Sequence, residues 1–233
     1  MQSATQLAVA LVAKPALLAV LVGVVQRGLY RRCWSFLVYL LAILLYTSVE
    51  LTGMLFYDVP GLLWPKILWS WDFWHFQQTV YEVLKLAIAV ELGVRVVAAF
   101  PGTWRLERAL LAATLVSITC ILTFGGAPQH PLLATGTIVL FAATSLVILF
   151  FHLPVHAWYR ALLVGFVPYL FVFGTTQSIL SRRGLEVAAL IGSIDSVAYL
   201  ALIGWWIVAA WRSEEEVTGI NPAVLRRLGL ARA

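Results

Sequence analysis

The chain has 233 residues, of which 62% are hydrophobic and only 12% charged, and its mean hydropathy is strongly positive. That composition excludes both a soluble globular domain and a disordered chain, and it puts the protein among integral membrane proteins. The formal net charge of +5 follows from arginines placed in loops, so it gives no reason to expect a nucleic-acid partner.

Crossing a hydrocarbon layer of ~30 Å takes about 20 predominantly apolar residues. Seven such runs can be drawn, at 5–26, 33–57, 76–100, 106–124, 132–151, 161–180 and 187–211. They are long and continuous rather than short and alternating, which predicts helices and not a transmembrane barrel. The expected fold class is an all-α polytopic transmembrane bundle of seven helices, with one domain over 1–211 and a short cytoplasmic tail over 212–233. The first run has no positive segment before it, Lys14 and Pro15 interrupt it, and the arginines come after it, so it is expected to stay in the mature protein. Cys33 and Cys120 fall in apolar runs at different depths, and no disulfide is expected between them.

Orientation follows from lysines and arginines in the short connections, which concentrate on the cytoplasmic side. Arg27, Arg31, Arg32, Arg95, Arg105, Arg108, Arg160, Arg212, Arg226, Arg227 and Arg232 make eleven on one side, against Lys66, Arg182 and Arg183 on the other. The N-terminus is therefore expected outside and the C-terminus in the cytoplasm. The segment 58–75 then lies at the outer surface. Its Trp64, Trp69, Trp71 and Trp74 read as interfacial anchors on a short helix or re-entrant cap, since indole prefers the headgroup level. A binding lid built from the same aromatics is the alternative.

A charge inside a membrane helix must face protein, water or a partner charge. At about 1.5 Å per residue, Lys14, Glu50, Glu82, Lys85 and Asp195 all fall roughly 10 to 14 Å below the outer surface. His75, Gln78, Glu82 and Lys85 share one helical stripe, while Glu91 and Arg95 point the other way and lie nearer the cytoplasm. The i,i+4 order of Glu91 and Arg95 predicts an intrahelical ion pair that anchors the helix. Opposite in depth stand Asp195, flanked by Ser193 and Ser196, with Tyr199 one turn on, and Thr175, Thr176 and Gln177 at the end of the sixth run. Lys14, Glu50, Gln78, Glu82, Lys85, Gln177, Asp195 and Tyr199 are thus candidates for one polar layer. That layer is either a structural ion-pair network, a ligand or ion-sensing pocket, or a transport or proton pathway.

Other chemistries find less support. The last run has no lysine for a retinal Schiff base. His152 and His156 have a ligand spacing, but Pro154 between them argues for a surface turn, and His75 and His130 lie on separate segments, so no metal site is expected. No HExxH, GxSxG, CxxC or phosphate-cradling glycine loop occurs, and enzyme activity is not expected. No cofactor can be named.

The stretches "GLYRRCWSFLVYLLA" and "YEVLKLAIAVELGVRVVAAFPG", with Tyr30, Arg31 and Arg32 before Phe36 and Tyr39, then Tyr81, Glu82, Glu91 and the Phe100, Pro101, Gly102 exit, resemble a group of small seven-helix bacterial inner-membrane proteins. The resemblance covers the first half of the chain and implies a seven-span architecture in a bacterial inner membrane. In topology alone the chain also resembles the seven-span sensing regions of bacterial signalling proteins, although only a short tail follows the last run. With short loops and small residues such as Ala134, Gly136, Ala142 and Ala143 along the fifth run, the expected role is a non-enzymatic accessory or structural subunit of a larger membrane complex, its partners being the lipid bilayer and other membrane proteins. The alternative is an outward-facing small-ligand sensor or carrier that uses the acid and lysine layer.

Overall fold

The computed structural model describes residues 4–56, 64–68, 70–98, 130–150, 155–183 and 187–212. Among these residues the protein is all-helical, with α1 (Ala4–Gln26), α2 (Trp34–Leu55), the short α3 (Trp64–Leu68), α4 (Trp71–Ala98), α5 (His130–Phe150), α6 (Ala157–Arg183) and α7 (Ala188–Trp211). The expected run 106–124, Cys120 and the tail beyond Arg212 lie outside the described residues. Two helical stretches, Ala157–Leu180 and Ala189–Trp211, are long and apolar enough to cross a membrane.

Helix ends follow local chemistry. After α1, Gly28 takes the left-handed conformation (φ 65°) that favours glycine, and a 3-10 turn over Leu29–Arg31 leads into α2. α4 begins at Trp71 and not at 76. The Ser70 hydroxyl accepts a hydrogen bond from the Phe73 N–H (3.2 Å) and Asp72 stands in the first turn, a pairing that suits a helix N-terminus. Trp71 and Trp74 therefore belong to α4 itself and not to a separate cap, Trp64 opens α3, and Trp69 lies outside the described residues. α6 likewise starts earlier than expected. His156 sits at its N-cap, where Nδ1 accepts from the Trp158 N–H at 3.1 Å. Pro15 and Pro168 lie inside α1 and α6 on exposed positions.

The long helices pack in the cyclic order α1, α2, α4, α5, α6, α7, and α7 closes back on α1. An aromatic centre fills the ring. The Phe36 ring meets Trp206 at 5.0 Å, Trp158 at 5.4 Å and Phe166 at 6.3 Å, each edge to face, while Phe141 stacks on Phe166 at 5.0 Å. These are favoured aromatic geometries and exclude solvent from the middle of the bundle. Two glycines allow close helix approach. A Cβ on Gly23 would lie 2.9 Å from Trp211 Nε1, and one on Gly165 would lie 2.9 Å from Leu202 Cδ1 and 3.0 Å from Trp206 Nε1. The same seams carry indole hydrogen bonds, from Trp211 Nε1 to the Ala19 carbonyl (3.1 Å) and from Trp205 Nε1 to the Ala161 carbonyl (2.8 Å).

Candidate ligand-binding cavity

Four helices place polar side chains around one cavity of ≈ 280 Å³. From α2 come Tyr39, Ile43 and Thr47; from α4 come Gln77, Gln78, Tyr81 and Lys85; from α6 come Tyr169 and Phe173; from α7 come Asp195 and Tyr199. The spacing explains the convergence. On each helix the lining residues recur four apart, with Gln78 beside Gln77 on α4, so they form a single stripe facing inward. Four tyrosines thus surround one lysine and one aspartate.

Lys85 and Glu82, one turn apart on α4, form a buried ion pair with side chains 4% and 1% exposed. The Lys85 ammonium also lies 4.8 Å from the centre of the Phe173 ring, a cation–π distance. The pairing leaves two carboxylate oxygens unanswered. Glu82 Oε2 and Asp195 Oδ1 are buried and have no hydrogen-bond partner among the described residues. Counting Glu82, Lys85 and Asp195 as −1, +1 and −1, the site carries a formal charge of −1. Gln77 is buried and donates to the Tyr81 hydroxyl at 3.0 Å, holding that ring at the wall. The Tyr81 ring stands 6.3 Å from Tyr39, and Tyr169 stands 6.2 Å from Tyr199.

Of the sequence candidates, Gln78, Lys85, Asp195 and Tyr199 meet at this cavity, and Glu82 reaches it through Lys85. Lys14 on α1 and Gln177 on α6 are half-buried but do not line it. The side chain of Glu50 lies outside the described residues. Thr176 is buried, yet its hydroxyl is used within α6, donating to the Phe173 carbonyl at 2.8 Å. Tyr39, Thr47, Gln77, Tyr81, Tyr169 and Phe173 were not among the candidates. The i,i+4 recurrence of polar and aromatic residues, as in Gln77, Tyr81 and Lys85 or Asp195 and Tyr199, is the signal that points to them.

Glu91 and Arg95 form the expected i,i+4 pair at 2.9 Å, with Arg95 37% exposed. Glu91 does more than anchor its own helix. Its Oε2 accepts from the Ser35 N–H (2.9 Å) and its Oε1 from the Trp34 N–H (3.2 Å), so a carboxylate of α4 caps the N-terminus of α2. The buried Cys33 thiol donates to the same Oε2 at 3.5 Å. Nearby, the Arg27 guanidinium donates to the carbonyls of Ala210 (3.2 Å) and Arg212, a cation at the C-terminus of α7. Tyr159, at the start of α6, donates to the Arg32 carbonyl at 3.2 Å. The end of α1, the start of α2, the end of α4, the start of α6 and the end of α7 therefore meet at one end of the bundle, so α2 runs antiparallel to α1 and α4, α6 runs antiparallel to α7, and α7 closes on α1 in the same direction.

Among the described residues no group of three or more His, Cys, Asp or Glu side chains is disposed to hold a metal ion. The chain matches no protein-family model, no characterised protein and no solved structure.

Proposed function

We propose that the protein is a multi-span membrane protein, in a bacterial inner membrane and with its arginine-bearing end in the cytoplasm, that binds a compact cation in the cavity between α2, α4, α6 and α7 as a sensor or carrier. Several features support a bilayer-spanning bundle of seven helices with the N-terminus outside. Beside the two apolar stretches of α6 and α7, helices α1, α2 and α5 run for 23, 22 and 21 residues. The outward faces carry exposed Leu11, Leu45, Val139, Leu146, Phe171 and Val197, an apolar surface far beyond what a water-soluble monomer tolerates. Polar groups are gathered inward, where a membrane helix needs them.

The observation that carries the ligand reading is the buried, unbonded Oδ1 of Asp195 at a cavity lined by four tyrosines and Lys85, whose charge is already answered by the enclosed Glu82. A buried acceptor without a donor is costly, and a cationic group in the cavity would satisfy the Asp195 oxygen while its charge lies against aromatic faces. The volume of ≈ 280 Å³ is at the lower edge of the ~300–1,000 Å³ usual for small-molecule sites, which favours a small ammonium compound or a hydrated metal cation.

The test is thermal unfolding of the detergent-solubilised chain with tetramethylammonium, choline or sodium. A ligand that binds only the folded state raises the transition in proportion to the logarithm of its concentration. At least one of these cations is expected to do so for the wild type and not for Asp195→Asn, whose own transition stays close to wild type. Equal shifts in both proteins, or none in either, refute the reading. Misfolding of Asp195→Asn together with stable co-purification of another membrane protein would likewise count against it and return the layer to a structural network in an accessory subunit.

A further inference from the structure

The arginine end of the bundle holds a second site of opposite sign. An open cavity of ≈ 560 Å³ is lined by Arg27, Gly28, Arg31, Arg32, Arg95 and Tyr159. Four arginines line it, and among the described residues the carboxylate at its edge is Glu91, already paired with Arg95, which leaves these residues a formal balance of +3. Arg27 is held in place by the α7 carbonyls and also lines an adjoining groove of ≈ 350 Å³ between α6 and α7. That groove changes character along its length. Arg160 and Arg212 stand at its mouth, whereas Val164, Trp205 and Val208 form its wall and are themselves 56%, 42% and 59% exposed on the apolar outer surface.

A planar guanidinium matches the oxygens of a phosphate two at a time, and basic pockets at the cytoplasmic ends of membrane helices suit anionic lipid headgroups. We infer that this end binds an anionic phospholipid. Its phosphodiester sits among Arg27, Arg31 and Arg160, and an acyl chain follows Val164, Trp205 and Val208 out to the lipid-facing surface. The inference rests on the bilayer-spanning reading and is independent of the cation cavity. A soluble phosphate shares the headgroup chemistry, but the apolar groove continuous with the arginines has a use only for a chain-bearing ligand.

Native mass spectrometry of the full-length protein in mild detergent tests it, with phosphatidylglycerol and phosphatidylcholine of identical acyl chains offered together and inorganic phosphate as the chainless competitor. The wild type should retain phosphatidylglycerol preferentially. Arg31 and Arg160 are exposed, so Arg31→Gln and Arg160→Gln should leave the fold intact and lower that preference about fivefold each, or about 25-fold together. Arg183→Gln at the opposite end should leave it unchanged. Equal retention of the two lipids, or a double variant that keeps the preference, overturns the site. Displacement of phosphatidylglycerol by an equal concentration of inorganic phosphate assigns it instead to a soluble anion and overturns the lipid. Alkaline carbonate extraction of native membranes separates the two failures: a chain released into the aqueous phase refutes the membrane reading, whereas one that stays embedded without headgroup preference refutes only this site.

Discussion

The Glu82–Lys85 pair is the feature whose removal should be felt most. Both side chains are almost fully enclosed, at 1% and 4% exposure, and Glu82 already has one oxygen without a donor. Lys85→Met removes the only hydrogen-bond partner shown for the other oxygen and leaves a buried charge uncompensated, which typically costs about 3–5 kcal/mol. For a chain of this size, 1 kcal/mol corresponds to roughly 2–4 °C, so the unfolding midpoint should fall by about 6–20 °C. Glu82→Gln should cost less, because the Lys85 ammonium keeps the Phe173 ring and shares a cavity with Asp195. In the double variant Glu82→Gln/Lys85→Met the fully enclosed Glu82 charge is gone as well and only the partly buried Asp195 is left without its lysine, so a substantial part of the Lys85→Met loss should be recovered, giving a coupling energy of about 2 kcal/mol. Thermal unfolding in one detergent, followed by circular dichroism on all four proteins, reads this directly. A Lys85→Met variant within about 1 kcal/mol of wild type, or a double variant no better than Lys85→Met alone, would refute the reasoning.

Glu91→Ala removes the acceptor for the first two N–H groups of α2 and the partner of Arg95; a lost cap and a half-exposed pair together predict a loss of about 1–3 kcal/mol. Arg95→Ala leaves the cap in place and should cost less than 1 kcal/mol, roughly the value of an exposed pair, in the same melting assay. Gly165→Leu drives a side chain into Leu202 and Trp206 and should destabilise by about 1–3 kcal/mol or more. Gly136→Ala meets nothing within 4 Å and should be neutral or gain up to ~1 kcal/mol of helix propensity. Comparing the two glycine variants by melting temperature separates packing from propensity.

Where a feature depends on one helix, the sequence is enough to find it. Depth is residue count times rise and face is a 100° step, so Gln78, Lys85, Asp195 and Tyr199 could be grouped before their helices were seen together. The same count failed for Lys14 and Gln177, because depth says nothing about how far a helix is rotated about its own axis or where it stands in the ring. Glu91 with Arg95 was legible as a local i,i+4 pair. Its role as the cap of α2 was not, since the partners are backbone N–H groups 56 and 57 residues away. Tyr39, Tyr81 and Tyr169 were passed over because a phenol within an apolar run reads as packing. Only the alignment of four stripes reveals that their faces meet. The loop arginines carried information about orientation alone, and their convergence with the groove between α6 and α7 depends on how α1 closes the ring.

The two charged regions also constrain one another. The cavity at Asp195 and the arginine-lined end are separated by Phe36, Phe166 and Trp206, all fully buried, and Phe36 packs against both of the others. A cation approaching Asp195 from the arginine end would meet both a repulsive field and a buried aromatic layer. The stripes from Tyr39 to Thr47 on α2 and from Lys85 back to Gln77 on α4 instead run away from that end. On the proposed reading a cation would therefore enter from the end of the bundle opposite the arginines, and a carrier would require the aromatic layer to open, whereas a sensor needs it to stay shut.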